Sequence, residues 1–191
     1  MNNENRLCTV TKDYLTQFHC ILDEMTEDMT SATLNDSISE NFIVQMIPHH
    51  HAAIAMSQNL LRFTTNISLQ DIATETIARQ TQGIEDMRNI MGACSRVTNC
   101  QQDICLCQRT TNQIMQTMFS SMDHSPCEND INISFIKEMI PHQQGAIEIS
   151  KTTLQYDISP DLVPILESII ASQEQGIRQM QQLLHCMSSC R

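Results

Sequence analysis

The sequence predicts an all-α fold made of two three-helix repeats with pseudo-two-fold symmetry, and two observations carry that prediction. The segment that begins at Phe42 returns at Phe135, so the Met-Ile-Pro-His sequence at 46–49 recurs at 139–142, an offset of 93 residues. Elsewhere apolar residues recur every three or four positions, as in amphipathic helices, and no stretch alternates as a strand does. We therefore expect the two repeats to superpose and to bury their apolar faces against each other.

The first repeat, residues 1–98, begins with two predicted helices. Apolar residues three and four positions apart indicate the first helix over residues 7–29. The second helix ends near residues 62–63 and follows a polar connector with three candidate N-caps, Asp36, Ser37 and Ser39. Pro48 lies inside this helix, where its missing N–H either bends the helix or means that the helix begins late.

The third helix and the second repeat follow the same plan. Ser68 is the predicted N-cap of the third helix and Gly92 its terminator. Residues 96–107 are predicted to link the repeats. The second repeat, residues 99–191, carries further start signals at Asp130, before its second helix, and at Ser159 and Pro160, before its third.

Charge and length exclude several classes of partner. Asp and Glu number 22 against 11 Lys and Arg, a formal charge of -11 that argues against binding to nucleic acid or to an anionic membrane surface. No run approaches the roughly 18 apolar residues of a membrane span. No apolar run follows the first residues either, so we expect a cytoplasmic protein without a signal peptide. A homo-oligomer is left open.

Methionine and histidine share one face of the second helix. His49 and His50 follow Met46 by three and four positions, which places all three side chains on one side. Thioethers beside imidazoles suit Cu(I), the favoured metal, while imidazole alone also suits Zn(II) or Ni(II). The second repeat keeps one Met and one His in register, so the first-rank ligands are Met46, His49, Met139 and His142. The alternative is that these methionines are ordinary core and that His49 is a hydrogen-bonded interior histidine.

Further methionines are second-rank candidates. Met87 and Met180 lie at matching positions of the third helices, seven residues after Gln80 and Gln173, and simple packing in the core is the alternative for them. The 13 methionines also form two pairs spaced by four residues near the ends of the first helices. For these pairs we favour apolar packing over a soft-metal site: Met25 with Met29, and Met118 with Met122.

The nine cysteines contain a separate constellation. Two close pairs within it could chelate a thiophilic ion, although no standard zinc spacing is present. Disulfides and free thiols are the alternatives. The members are Cys94, Cys100, Cys105, Cys107, Cys186 and Cys190, of which Cys105 with Cys107 and Cys186 with Cys190 are the pairs.

The motif Phe-x-x-x-Met-Ile-Pro-His-His, followed by Ala-Ile and later by Gln-x-x-x-Ile-x-x-Met, resembles the helical family called domain of unknown function 305 (DUF305). The resemblance spans both repeats. It implies a ferritin-like bundle and copper binding or copper tolerance through Met and His side chains. The residues that match the motif are Met46, His49 and His50 in the first repeat and Met139 and His142 in the second.

The chain departs from the pattern of that family at several positions. Gly83 and Gly176 stand where the family commonly has Glu, and the second His of the motif is replaced by Gln143 in the second repeat. Ile90 and Leu183 stand where the family has Trp.

Catalysis has little support in the sequence. A di-iron carboxylate bundle needs Glu-x-x-His on two helices, and the chain contains no such motif. The leading hypothesis is therefore a metal-binding bundle, copper first, that buffers the metal or confers tolerance to it and is not an enzyme. A non-catalytic scaffold bundle with a Met-rich core is the alternative, and a metal-dependent redox enzyme that uses the cysteines is the third hypothesis.

Overall fold

The computed structural model describes residues 7–125 and 129–189, and over these residues the chain forms six α-helices and no strand. The all-α prediction is confirmed, whereas the ferritin-like assignment and the division of the repeats near residue 98 stay predictions. The helices are α1 (Thr9–Ser31), α2 (Ile38–Leu61), α3 (Ile67–Cys94), α4 (Gln101–Asp123), α5 (Ile131–Thr153) and α6 (Val163–Ser189).

Helices α2 and α5 pack against each other at the centre of the molecule. Helices α1 and α3 flank α2 as α4 and α6 flank α5, and contacts of α3 with α6 and of α1 with α4 join the two repeats at either side. All six helices contribute to the core, because Tyr14 and Phe18 of α1 and Met115 and Met118 of α4 are buried together with residues of the other four helices. None of the helices within the described ranges is long and apolar enough to cross a membrane.

Of the three candidate N-caps of α2, Ser37 is the one used, and the predicted cap Asp130 of α5 is confirmed. The Ser37 hydroxyl accepts a hydrogen bond from the Glu40 N–H at 3.2 Å, and the Asp130 carboxylate accepts from the Asn132 and Ile133 N–H groups. Ser37 also donates to the carbonyl of Cys94 at 2.8 Å. The start of α2 is thereby attached to the end of α3.

Both prolines of the repeated motif lie inside continuous helices. Pro48 is in α2 and Pro141 in α5, so neither helix begins late. A proline in a helix leaves the carbonyl four residues earlier without its usual donor. In α5 that carbonyl belongs to Lys137, and it accepts a hydrogen bond from the Ser125 hydroxyl at 3.2 Å.

The predicted ends of the third helix are both wrong. Asn66, not Ser68, caps α3, since its side-chain oxygen accepts from the Leu69 N–H at 3.1 Å. Gly92 does not end the helix, because it has no positive φ and α3 continues to Cys94. A terminating glycine acts by adopting the left-handed conformation, which the chain does not use here.

The last helix begins later, and the linker is shorter, than predicted. Ser159 and Pro160 form a turn, closed by the Leu162 N–H on the Ser159 carbonyl at 3.0 Å, and α6 begins at Val163. Pro164 explains the delay, because it cannot donate the hydrogen bond that a helix starting at Pro160 would need. Since α4 begins at Gln101, only residues 95–100 link the repeats.

Candidate functional site

All seven predicted metal ligands are buried, and the structure brings two of them into direct contact across the repeats. His49 of α2 and His142 of α5 are each 0% exposed and lie where these central helices pack. The other five are at most 2% exposed, and they are His50, Met46, Met87, Met139 and Met180.

His49 and His142 form a reciprocal pair. Their rings stack with centroids 3.7 Å apart and an angle of 26° between the planes. The Nε2 atom of His49 lies 3.1 Å from the His142 carbonyl oxygen, and the Nε2 atom of His142 lies 3.1 Å from the His49 carbonyl oxygen. This exchange of identical contacts is what a pseudo-two-fold relation between the repeats requires.

The carbonyl partners fix the tautomer of both rings. A carbonyl oxygen only accepts, so each Nε2 must carry the hydrogen and donate it. In a neutral imidazole the lone pair then belongs to Nδ1. Within the described residues the Nδ1 atoms of His49 and His142 are both buried and have no hydrogen-bond partner. Each ring therefore holds an unused lone pair in the core.

Burial keeps these rings neutral. Loss of solvent lowers the pKa of His49 to about 4, although the hydrogen bond to the His142 carbonyl opposes the shift. The pKa of His142 is lowered well below its ordinary value by burial and then by repulsion from His49. Neutral imidazoles at pH 7 are the form that binds metal ions.

His50 lies next to this pair. Its ring centroid is 6.1 Å from that of His49, and burial lowers its pKa to about 3. A Cβ atom at Gly83 would approach two atoms of the His50 ring to 3.0 Å, and one at Gly176 would approach Gln143 to 2.8 Å. Gly83 and Gly176 therefore leave room for the residues that follow the repeated motif histidines, His50 and Gln143.

The methionines predicted as ligands all belong to the apolar core. Met46 and Met139 precede His49 and His142 by three residues and share their helices. The two methionine pairs on the first helices lie in the apolar core, where each of these side chains is at most 3% exposed. They are Met25, Met29, Met118 and Met122.

A buried carboxyl that the sequence analysis did not place in a site lies between the repeats. The Tyr14 hydroxyl donates to Glu138 Oε2 at 2.6 Å, and both side chains are 1% exposed. Burial raises the pKa of Glu138 to about 8, partly opposed by this hydrogen bond. The sequence held one signal: Glu138 stands where the first repeat has Gln45 in an otherwise repeated motif.

The predicted cysteine cluster does not form over the part of the chain that the structure describes. Cys105 and Cys107 lie in α4, where Cys105 is exposed and Cys107 is buried, because residues two positions apart point to different sides of a helix. Cys186 is an exposed residue of α6, and Cys190 lies outside the described residues. Cys94 and Cys100 are free thiols like the other described cysteines.

The described thiols should differ in their rate of alkylation. Cys94 and Cys107 are buried and burial raises the pKa of each thiol, whereas hydrogen bonding to Thr11 lowers the pKa of exposed Cys8. We expect iodoacetamide to modify Cys8 rapidly and the two buried thiols slowly in the folded protein. Peptide mass mapping over time measures each rate, and equal rates for Cys8 and Cys107 would contradict the packing of α4.

The ligand types present distinguish among metals. Between residues 7–125 and 129–189 no three His, Cys, Asp or Glu side chains converge to hold an ion. Zn(II) usually takes four ligands of these types, whereas Cu(I) accepts imidazole nitrogen and thioether sulfur. The predicted ligands on α2 and α5 are histidines and methionines.

Comparisons with known proteins identify relatives of this fold. A family model described as "Domain of unknown function (DUF305)" matches residues 39–184. Among solved structures, the crystal structure of a DUF305 fragment from Deinococcus radiodurans matches with a TM-score of 0.56 and 19% sequence identity, covering 81% of this chain and 97% of that chain. No curated protein matches the sequence. At this identity the structural match concerns the fold alone.

Proposed function

The chain belongs to the DUF305 family, whose description names no activity, and we propose that it binds copper as Cu(I) between its two repeats. The proposed role is to buffer the ion or to confer tolerance to it, without catalytic turnover. The proposed ligands are His49 and His142, with Met46 and Met139 three residues earlier on the same helices. The His50 ring centroid lies 6.1 Å from that of His49, and Met87 and Met180 belong to the same apolar core.

The observation that carries the proposal is the pair of unused Nδ1 lone pairs. Buried nitrogen atoms are normally hydrogen-bonded, so two of them without a partner at one helix contact call for an explanation. Histidine ligands of metals usually donate their other ring N–H to a carbonyl or carboxylate, which orients the ring. The Nε2–H groups of His49 and His142 already make that kind of bond.

The electrostatics of the core favour a monovalent, soft ion. The histidines are neutral, and the predicted ligands offer sulfur and nitrogen atoms, while no group of carboxylates converges on an ion site over residues 7–125 and 129–189. A divalent ion would bring twice the charge into this low-dielectric region with nothing to balance it. This argues for Cu(I) over Zn(II).

The non-catalytic scaffold bundle remains the second candidate, and a specific observation favours it. Met87 and Met180 are 0% exposed and belong to the continuous apolar core, as packing alone would place them. In a scaffold the methionines would serve as core residues, and the two Nδ1 lone pairs would have no role.

The test replaces both histidines by glutamine. The Gln side-chain nitrogen reproduces Nε2 and can still donate to the carbonyl, while the Nδ1 lone pair is lost. With thiols alkylated and Cu(I) held by a competing chelator, we expect His49→Gln with His142→Gln to lower Cu(I) affinity at least roughly 100-fold. The matched control is His19→Gln with His124→Gln, which changes two exposed histidines in the same way.

Two outcomes decide between the candidates. A lower Cu(I) affinity in the His49→Gln, His142→Gln variant, with no change in the His19→Gln, His124→Gln variant, supports a histidine-dependent copper site. Equal affinity in the wild type and the buried-pair variant rejects the site and leaves the scaffold. Met46→Leu with Met139→Leu then measures the part that sulfur contributes, since the exchange nearly conserves volume.

A further inference from the structure

A pocket between α3 and α6 opens above His50. Its volume is about 370 Å³, and its lining includes His50, Gln80, Gly83, Ser168, Ser172 and Gln173. Ser168 and the neighbouring Gln82 are exposed, so the pocket opens to solvent. His50 itself is only 2% exposed. The pocket thus connects solvent with a histidine whose ring lies beside His49.

The pocket at the matching positions of the duplicated sequence is much smaller. Its volume is about 20 Å³, room for about one water molecule. Gln143 takes the place of His50, and Glu75 and Arg79 take the places of Ser168 and Ser172. Arg79 pairs with Glu75 at 2.5 Å and donates to Gln175 of α6 at 3.4 Å. Two small serines in place of this ion pair leave the other pocket open.

The open pocket also has polar groups without partners. Over the described ranges the Oε1 atoms of Gln80 and Gln173 are buried and accept no hydrogen bond, and both side chains line the pocket. These oxygens and the neutral imidazole of His50 are electron-pair donors. Arg79 and Asp86 also line the pocket, and their opposite charges offset each other, so the donors are the groups that a cation would meet. The occupant that fits this chemistry is a metal ion with small ligands around it.

We propose that this pocket is the access site through which Cu(I) reaches the His49–His142 pair, with His50 as the first protein ligand. The inference rests on the copper site proposed above. That site is fully buried, so an ion must pass a side chain that lines an open pocket and also lies beside the pair. His50 meets this condition, because it lines the pocket and its ring centroid lies 6.1 Å from that of His49. The ion stays Cu(I) throughout, and no electron is transferred.

The test separates the rate of loading from the affinity. Ser168→Glu with Ser172→Arg places the Glu–Arg pair of the smaller pocket in the open one, and we call this the filled-pocket variant. His50→Gln replaces the histidine of the pocket lining by the residue type at the matching position of the second repeat. We expect each variant to load Cu(I), supplied as its acetonitrile complex, at least 10-fold more slowly than wild type. Quenching with excess bicinchoninate at set times measures the Cu(I) not yet bound. We expect the equilibrium affinity of the Ser168→Glu, Ser172→Arg variant to be unchanged.

The control adds the same charges elsewhere. Gln113→Glu with Thr117→Arg places a Glu and an Arg four residues apart on the exposed side of α4, and it should load at the wild-type rate. If the filled-pocket variant also loads at that rate while His49-dependent binding is intact, the access inference is overturned and the copper site stands. If wild type shows no His49-dependent binding at all, both proposals fall.

Discussion

The protein is expected to lose on the order of 4 kcal/mol of unfolding free energy as the pH rises from about 4.5 to about 8, because of Glu138. The carboxyl is 1% exposed, and burial raises its pKa to about 8 from an ordinary value of 4.5. Only the hydrogen bond from Tyr14 opposes this shift. The folded protein therefore holds Glu138 in its neutral form at pH values where the unfolded chain ionises it.

The sign follows from proton binding. Between the two pKa values the folded state binds the Glu138 proton and the unfolded state does not, so each pH unit removes about 1.4 kcal/mol of stability. The contribution is fully present below the unfolded pKa and is lost as the pH rises through about 8. Above that value the difference no longer changes.

Urea unfolding at a series of pH values tests the prediction. Glu138→Gln copies the residue at the matching position, Gln45, and removes the ionisable group while keeping an acceptor for the Tyr14 hydroxyl. Subtracting the variant's unfolding free energies from those of wild type cancels the contributions of other carboxyl groups. The difference should fall with rising pH, and parallel profiles would show that Glu138 is not held neutral.

Local features of the fold were predictable because they depend on neighbouring residues. The three-and-four spacing of apolar residues fixed which sides of the helices are buried, so the burial of Met87 and Met180 followed directly. The caps at Ser37 and Asp130 were found because a cap acts within three residues. The predicted start of α6 is too early, because Pro160 favours a helix start whereas Pro164 lacks the N–H that such a helix would need.

The residues of the candidate site could be selected from the sequence, but their contacts with each other could not be predicted from it. Sequence spacing selected His49 and His142, yet their stacking and exchanged hydrogen bonds arise from two helices 93 residues apart. Tyr14 and Glu138 are separated by 124 positions, and no local pattern links them. Cys105 and Cys107 lie two positions apart in α4 and not in a linker, so one is exposed and the other is buried. Cys190 lies outside the described residues, so the pair Cys186 and Cys190 stays a prediction.

The sequence shows where the two repeats differ, but it does not show what those differences do to the packing. Comparing positions 93 residues apart shows Ser168 against Glu75 and His50 against Gln143. Only the packing of α3 on α6 shows that one pocket is large at these positions and its counterpart much smaller. Differences between duplicated segments are therefore informative here once their contacts are known.

The second large effect concerns the histidine pair in the metal-free protein. His49→Ala is expected to lower the unfolding free energy by about 3 kcal/mol, because it removes a stacked ring and one hydrogen bond and leaves a cavity between α2 and α5. His142→Ala should cost about the same, since the contacts are reciprocal. His49→Gln retains a donor for the His142 carbonyl and should cost clearly less.

The double variant measures how far the two residues act as a unit. Whichever ring is removed first, the stacking is already lost, so the second substitution should cost less than the first by about 1–3 kcal/mol. Urea unfolding at pH 7 with a copper chelator present gives the four free energies of the cycle. If the two single costs simply add, the rings contribute separately to their own repeats, and the contact at 3.7 Å is not a source of coupling between α2 and α5.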